Sequence, residues 1–177
     1  DPSNIPNISR GEVTNFKKYI KSIGFKFTYL LNAPFSFKSN KQRKEVKDYL
    51  GWIINEFEAD ALMITSKELM QFARGIYPTI PIHISTIAGV LNTKQLETFL
   101  DVNPVRVVVH HDVNRNFKDL QKILKKAKEW GIGVELMATE SCLRKCSNRD
   151  AHYLHLSGGK ADKQFHTVCN TKKIMYP

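Results

Sequence analysis

The stretch VRVVVHHDVNRNFKDLQKILKKAKEWGIGVELM, Val105 to Met137, reads as a strand, a helix and a second strand. Val105 to Val109 is β-branched apart from Arg106, close to the apolar run of a strand buried on both faces. Phe117 to Trp130 is predicted helical, with Leu120, Ile123, Leu124 and Ala127 inward and Gly131 as its stop. Ile132 to Met137 is again a short apolar strand. Strands separated by a helix in this way pair in parallel through a right-handed crossover.

The same rhythm runs back toward the start of the chain. Ser9 and Glu12 have capping-box spacing, and Val13, Phe16, Tyr19, Ile20 and Ile23 then recur at helical intervals up to Gly24. A strand from Phe25 to Leu31 follows, and then a helix capped by Asn40 with Val46, Leu50, Ile53, Ile54 and Phe57 on one face. Ala61 to Ile64 is a strand, and Thr65 with Glu68 marks the start of a helix to Arg74. Ile80 to Ile84 is the next strand, followed by a helix from Asn92 to Leu100 with Asn92 and Gln95 in capping positions. Five largely apolar strands alternating with helices fit either a barrel or a doubly wound sheet. No Gly-rich phosphate turn follows any strand, which removes the main sign of a dinucleotide-binding sheet. The expectation is an α/β fold of the (β/α) TIM-like barrel type. A complete barrel usually takes ~250 residues, so this chain of 177 is read as one partial barrel domain, residues 1–177, with a cysteine-bearing segment at 140–170. Its opening at Asp1, without Met, suggests a trimmed chain or a fragment.

No run of ~18 apolar residues is present, and no leading charged-then-apolar segment, so neither a membrane span nor secretion is expected. With 27 basic and 17 acidic residues the chain carries +10, a balance that suits RNA or another anionic partner. The excess is spread along the sequence rather than gathered in one basic run, so a merely solvated basic surface is the competing reading. All three cysteines, Cys142, Cys146 and Cys169, fall near the end. An odd, clustered set argues against a disulfide framework and for metal or thiol chemistry in a reducing, cytoplasmic compartment.

In parallel α/β folds the working residues lie at the carboxyl ends of the strands. Those places hold Asn32, Thr65-Ser66, His83 with Ser85 and Thr86, His110-His111-Asp112 with Asn114 and Arg115, and Glu140 with the Cys142 segment. His110-His111-Asp112 invites a metal reading. On an extended strand, however, adjacent side chains point to opposite faces, so the two imidazoles are not expected to share an ion. Asn114 and Asn116 fit turn and cap roles. Neither a nucleophile–base–acid set nor a His-Glu-x-x-His zinc motif is legible. Cys142 and Cys146, with three residues between them after a predicted strand, and with Cys169 beyond, suit an iron–sulfur cluster, although the spacing also fits three ordinary thiols. A common cluster takes four thiolates. A fourth ligand outside the segment, a substitute such as His166, or an iron left open to substrate would each complete the set.

The run Ile80-Pro-Ile-His-Ile-Ser-Thr86, then Val105 to Arg115, then Val134-Glu-Leu-Met-Ala-Thr-Glu-Ser-Cys142 resembles the collagenase-like U32 peptidase family over roughly residues 25 to 170. The resemblance implies a TIM-like barrel whose cysteines, here Cys142, Cys146 and Cys169, bind a 4Fe–4S cluster. It further implies oxygen-independent hydroxylation of an RNA base or a quinone-type substrate, with prephenate as an oxygen source in some members. Two alternatives are a peptidase of collagen-like substrates and a non-catalytic iron–sulfur scaffold. On this reading His83, Ser85, Thr86, Arg115 and Arg149 would orient an anionic substrate, the arginines by bidentate contacts, and a partner subunit is a further expectation. The chain departs from the family in lacking a visible fourth cysteine and a first barrel strand.

Overall fold

Five parallel strands lie side by side in chain order: β1 (Thr28–Leu31), β2 (Ala61–Ile64), β3 (Ile82–Ile84), β4 (Arg106–Val108) and β5 (Gly133–Glu135). This is a computed structural model, and it describes residues 8–32, 37–139, 149 and 153. Helices α1 (Arg10–Ser22), α2 (Asn40–Gly51), α3 (Lys67–Ile76), α4 (Thr93–Glu97) and α5 (Phe117–Glu129) alternate with the strands. The arrangement is a partial TIM-like barrel, as the alternation predicts. The loop after every strand emerges at the same end of the sheet, because every pair is parallel.

Register decides which side chains share a face. Leu62 pairs with Ile82, Ile84 with Val107, and Val107 with Val134. These residues join one core with Leu69, Met70, Ala73, Leu96, Leu120 and Ile123 from the helices. Burying an aliphatic side chain of this size stabilises by about 1.5–3 kcal/mol, so this helix-covered face holds the sheet in place. Alternation turns Met63, His83, Arg106 and Glu135 to the opposite face, which is the interior face of a barrel.

Several boundaries move by one or two residues. The second helix is capped by Ser39, whose side chain accepts from the Gln42 amide, and not by Asn40. The third is capped by Ser66 rather than Thr65. Glu68 therefore reaches away from its own helix end to the Phe37 amide and the Arg43 guanidinium. The Ser9–Glu12 capping box and the Asn92 cap form as expected. Leu124, expected inward, is exposed, while Leu120, Ile123 and Ala127 make the buried stripe of α5.

The first helix turns much of its apolar stripe outward, with Val13 alone of the stripe packed against the core. Phe16, Tyr19 and Ile23 are exposed, and the buried residue is Lys17. Its ammonium meets Glu58 at 2.9 Å and lies over the Phe57 ring, so the charge is paired where it is desolvated. The second helix runs into a π-helical stretch at Trp52–Glu56, which places Trp52 and Ile53 in the core beside Phe57. No helix among the described residues is long and apolar enough to cross a membrane.

Candidate functional site

The strand ends hold a row of polar side chains. Thr65 Oγ1 and Asn32 Oδ1 are buried with no hydrogen-bond partner among the described residues. They sit at the ends of the neighbouring strands β2 and β1, where the Thr65 amide donates to the Leu31 carbonyl. After β3, Ser85 is buried and its Oγ accepts from the Ile87 amide, while Thr86 Oγ1 donates to the Val109 carbonyl at 3.2 Å. Asn114 Nδ2 donates to the Met137 carbonyl at 2.6 Å, tying the loop after β4 to the end of β5.

The chain leaves extended conformation sooner than its β-branched run suggests. β4 stops at Val108, and His111–Val113 form a 3-10 turn. That turn brings the two imidazoles to the same side instead of opposite faces. The His110 and His111 rings stack with centres 4.3 Å apart and planes inclined by 28°. Ring planes so nearly parallel meet far beyond the ~2 Å of a metal–imidazole bond, so in this arrangement no single ion takes an in-plane lone pair from both. Three potential ligands do gather within 4.8 Å at His110, His111 and Asp112. A guanidinium, however, stands among them.

Arg149 belongs to the segment that follows Cys146, and only 5% of its surface is exposed. One guanidinium nitrogen lies 2.8 Å from His110 Nε2 and 3.6 Å from the Asp112 carboxylate. Arginine can only donate, so Nε2 accepts and the proton of a neutral His110 resides on Nδ1. The Asp112 amide also approaches Nδ1, at 3.2 Å, but with a proton there Nδ1 cannot accept from it. Nδ1 faces the Asp112 carboxylate instead, at 3.6 Å. The cluster thus holds a buried cation with a carboxylate and a neutral imidazole, and it fixes one point of the cysteine-bearing segment on the end of β4.

The interior face carries a second group. His83 is 8% exposed and its Nδ1 has no partner among the described residues. Burial, with Arg106 nearby, pushes the imidazole below its usual range, and Glu135 opposes this weakly. Arg106 pairs with Glu135 at 3.1 Å across β4 and β5. His83 is therefore a neutral imidazole beside an ion pair on the face that a barrel encloses. Arg106 and Glu135 were not among the expected site residues. The signal for them was a charged residue at alternate positions of otherwise apolar strands.

The expected substrate residues are not brought into one group. His83 and Ser85 share the interior side of β3, Thr86 reaches to β4, Arg149 is engaged by His110 and Asp112, and Arg115 is exposed. Glu140, Cys142, Cys146, His166 and Cys169 lie outside the described residues.

A parallel sheet with polar groups at its strand ends and on its interior face defines a barrel-type protein with its working end at the strand termini. The family model of peptidase family U32 matches residues 3–162, and the chain belongs to that family. Two curated relatives, both tRNA hydroxylation protein P from Helicobacter pylori, are similar over 80 residues. The protein of strain J99 is 35% identical and that of strain 26695 is 34% identical. In each case the match covers 45% of this chain and 19% of the relative. Among solved structures, the U32 peptidase Mk0906 superposes with a TM-score of 0.71 at 16% identity, over 84% of this chain and 60% of that one. MenC from Desulfotalea psychrophila gives 0.51 at 14% identity, over 83% and 39%. At these identities the likeness is one of fold.

Proposed function

We propose that this chain carries the cysteine-bearing part of a tRNA-modifying protein of family U32. In this reading Cys142, Cys146 and Cys169 hold a 4Fe–4S cluster in a cytoplasmic protein. The observation that supports it best is the match to two tRNA hydroxylation proteins, together with three cysteines that follow β5 in the sequence. The donor set fits the group: thiolates are the usual ligands of such clusters, and an odd, clustered set of cysteines argues against a disulfide framework. The fourth position would be taken by a ligand from outside the three thiols or left open to substrate. When bound, the cluster would supply one-electron chemistry or an open iron site for an oxygen donor such as prephenate.

The chain's own residues have separable roles. Arg149, held by His110 and Asp112, would serve as an anchor point for the stretch of chain that follows Cys146. His83, with Ser85 and Thr86 at the end of β3, would line the substrate side, where a neutral imidazole can accept a proton or a hydrogen bond. Arg115, exposed on the rim, would meet an anionic group.

Anaerobic purification followed by iron and sulfide analysis tests the cluster, and nucleoside mass analysis of tRNA incubated with reductant and prephenate tests the modification. Iron and sulfide near four per chain, lost in Cys142→Ala, are expected. A colourless, iron-free protein under those conditions refutes the cluster. Gelatin cleavage that survives replacement of all three cysteines would favour the peptidase named by the family. An iron-loaded protein that modifies nothing yet loses partner assembly in Cys142→Ala would be a scaffold.

A further inference from the structure

We propose that Phe117, flanked by Arg115 and Lys118, is a contact for single-stranded RNA on the rim of the strand ends. The ring would stack on a base while the two cations hold neighbouring phosphates. The inference rests on the tRNA reading above and adds where the polynucleotide lies.

Arg115, Asn116, Phe117 and Lys118 are four consecutive exposed residues. Phe117, at 69%, is the most exposed large hydrophobic side chain among the described residues. Phe16, Tyr19 and Phe25 are also exposed, but they lie on α1 or ahead of β1, away from the strand ends. Among the described residues, only Phe117 combines an open ring with a cation on either side at the working end. Neither Arg115 nor Lys118 forms an ion pair among the described residues, whereas Arg43, Lys67 and Lys126 each have a carboxylate partner. Exposed aromatics with adjacent unpaired cations are what sequence-tolerant single-strand binding uses, since every base has a π face and every nucleotide a phosphate.

The ring is held in place although it is exposed. The Asn116 side chain accepts from the Asp119 amide and caps α5 immediately ahead of it, and Asn114 ties the same loop to Met137. The inner half of that loop supplies His110 and Asp112 to Arg149. A base on Phe117 would therefore sit on the loop that also holds the cysteine-bearing segment. Next to the first turns of α5 lies a groove of about 230 Å³ lined by Asn92, Thr93, Lys94, Asp119 and Lys122. Its two lysines against one aspartate continue the cationic surface toward α4.

The test is fluorescence anisotropy of the full chain with a labelled anticodon stem–loop and with a labelled uridine strand, over a range of salt. Phe117→Ala should weaken binding about fivefold or more, the loss of one base stack, with little change in salt dependence. Arg115→Ala with Lys118→Ala should lower the salt slope by roughly 1.4, the value for two single-strand phosphate contacts. Lys18→Ala with Lys26→Ala removes the same charge elsewhere and should leave the slope unchanged. Wild-type binding that survives both rim variants overturns the inference while the tRNA reading stands. Failure of the wild-type chain to bind either RNA overturns both. Loss of self-association in Phe117→Ala, with RNA affinity intact, would make the ring a protein contact and overturn the proposal.

Discussion

Arg149 and His110 stand 39 residues apart in sequence and 2.8 Å apart in space. A guanidinium this buried is tolerated because Asp112 lies 3.6 Å away and the imidazole accepts from it. The pair joins the end of β4 to the segment beyond Cys146, so its integrity should matter both to stability and to any group the cysteines hold.

Arg149→Ala should therefore lower unfolding free energy by about 3 kcal/mol, because it breaks a buried ion pair with Asp112 from one side. Arg149→Lys should recover part of this, since one nitrogen meets both His110 and Asp112 and an ammonium can take that place, but it is the more strongly hydrated cation to bury. Urea denaturation measures both. Iron content after anaerobic reconstitution should fall in the same order as stability.

His83 predicts a pH dependence of definite sign. Its folded value is depressed by burial, so the unfolded chain takes up a proton that the folded chain refuses. The stability this provides is complete above about pH 6.5 and declines as pH falls below it. His83→Asn should shrink the difference in Tm measured between about pH 7.5 and pH 5.5. A variant with the same pH difference as wild type would show that the imidazole titrates freely.

Glu58 acts at lower pH. The hydrogen bond from Lys17, and then its charge, hold the Glu58 carboxylate below the usual glutamate range. Its contribution is complete above about pH 4.3 and is lost as pH falls through the lower folded value. Glu58→Gln should flatten the acid limb of the stability curve and also lower stability at neutral pH, where Lys17 stays buried without its carboxylate. Acid titration followed by circular dichroism reads this out.

Arg74 is a clamp made of backbone contacts. Its guanidinium donates to the carbonyls of Val102, Pro78, Ile80 and Asn103, joining the end of α3 to the turns before β3 and β4. Arg74→Ala strands several acceptors at once and should cost about 2–3 kcal/mol in thermal or urea unfolding. Lysine, with one donor group, should restore only part.

Much of this fold was legible because the period of the pattern changes where the structure changes. The β-branched run at Val105–Val109, the helical spacing from Leu120 to Ala127 and the Gly131 stop are local signals, and local physics decides them. Where tertiary contacts override, the reading failed. The regular stripe of Phe16, Tyr19 and Ile23 faces outward because Lys17 finds Glu58 and Phe57 on the packed side. Ser66 takes the cap from Thr65, and Glu68 binds Phe37 and Arg43 instead of closing a capping box. The site was harder to read for a physical reason. Whether His110 and His111 oppose or stack depends on where extended backbone ends, a matter of one residue, and Asn114 and Asn116 were the turn-forming hint that it ends early. That Arg149 would reach back to His110 has no local signature at all.

Strand order that follows chain order has a kinetic meaning. Each ladder of the sheet closes a loop of only a few dozen residues, so the entropy of closure is met in small instalments, and pairing of β1 with β2 does not wait for synthesis of β5. The reach of Arg149 back to the β4 turn is a late event by comparison. The Arg149 guanidinium thus gains its partners only once the ladder beneath them exists.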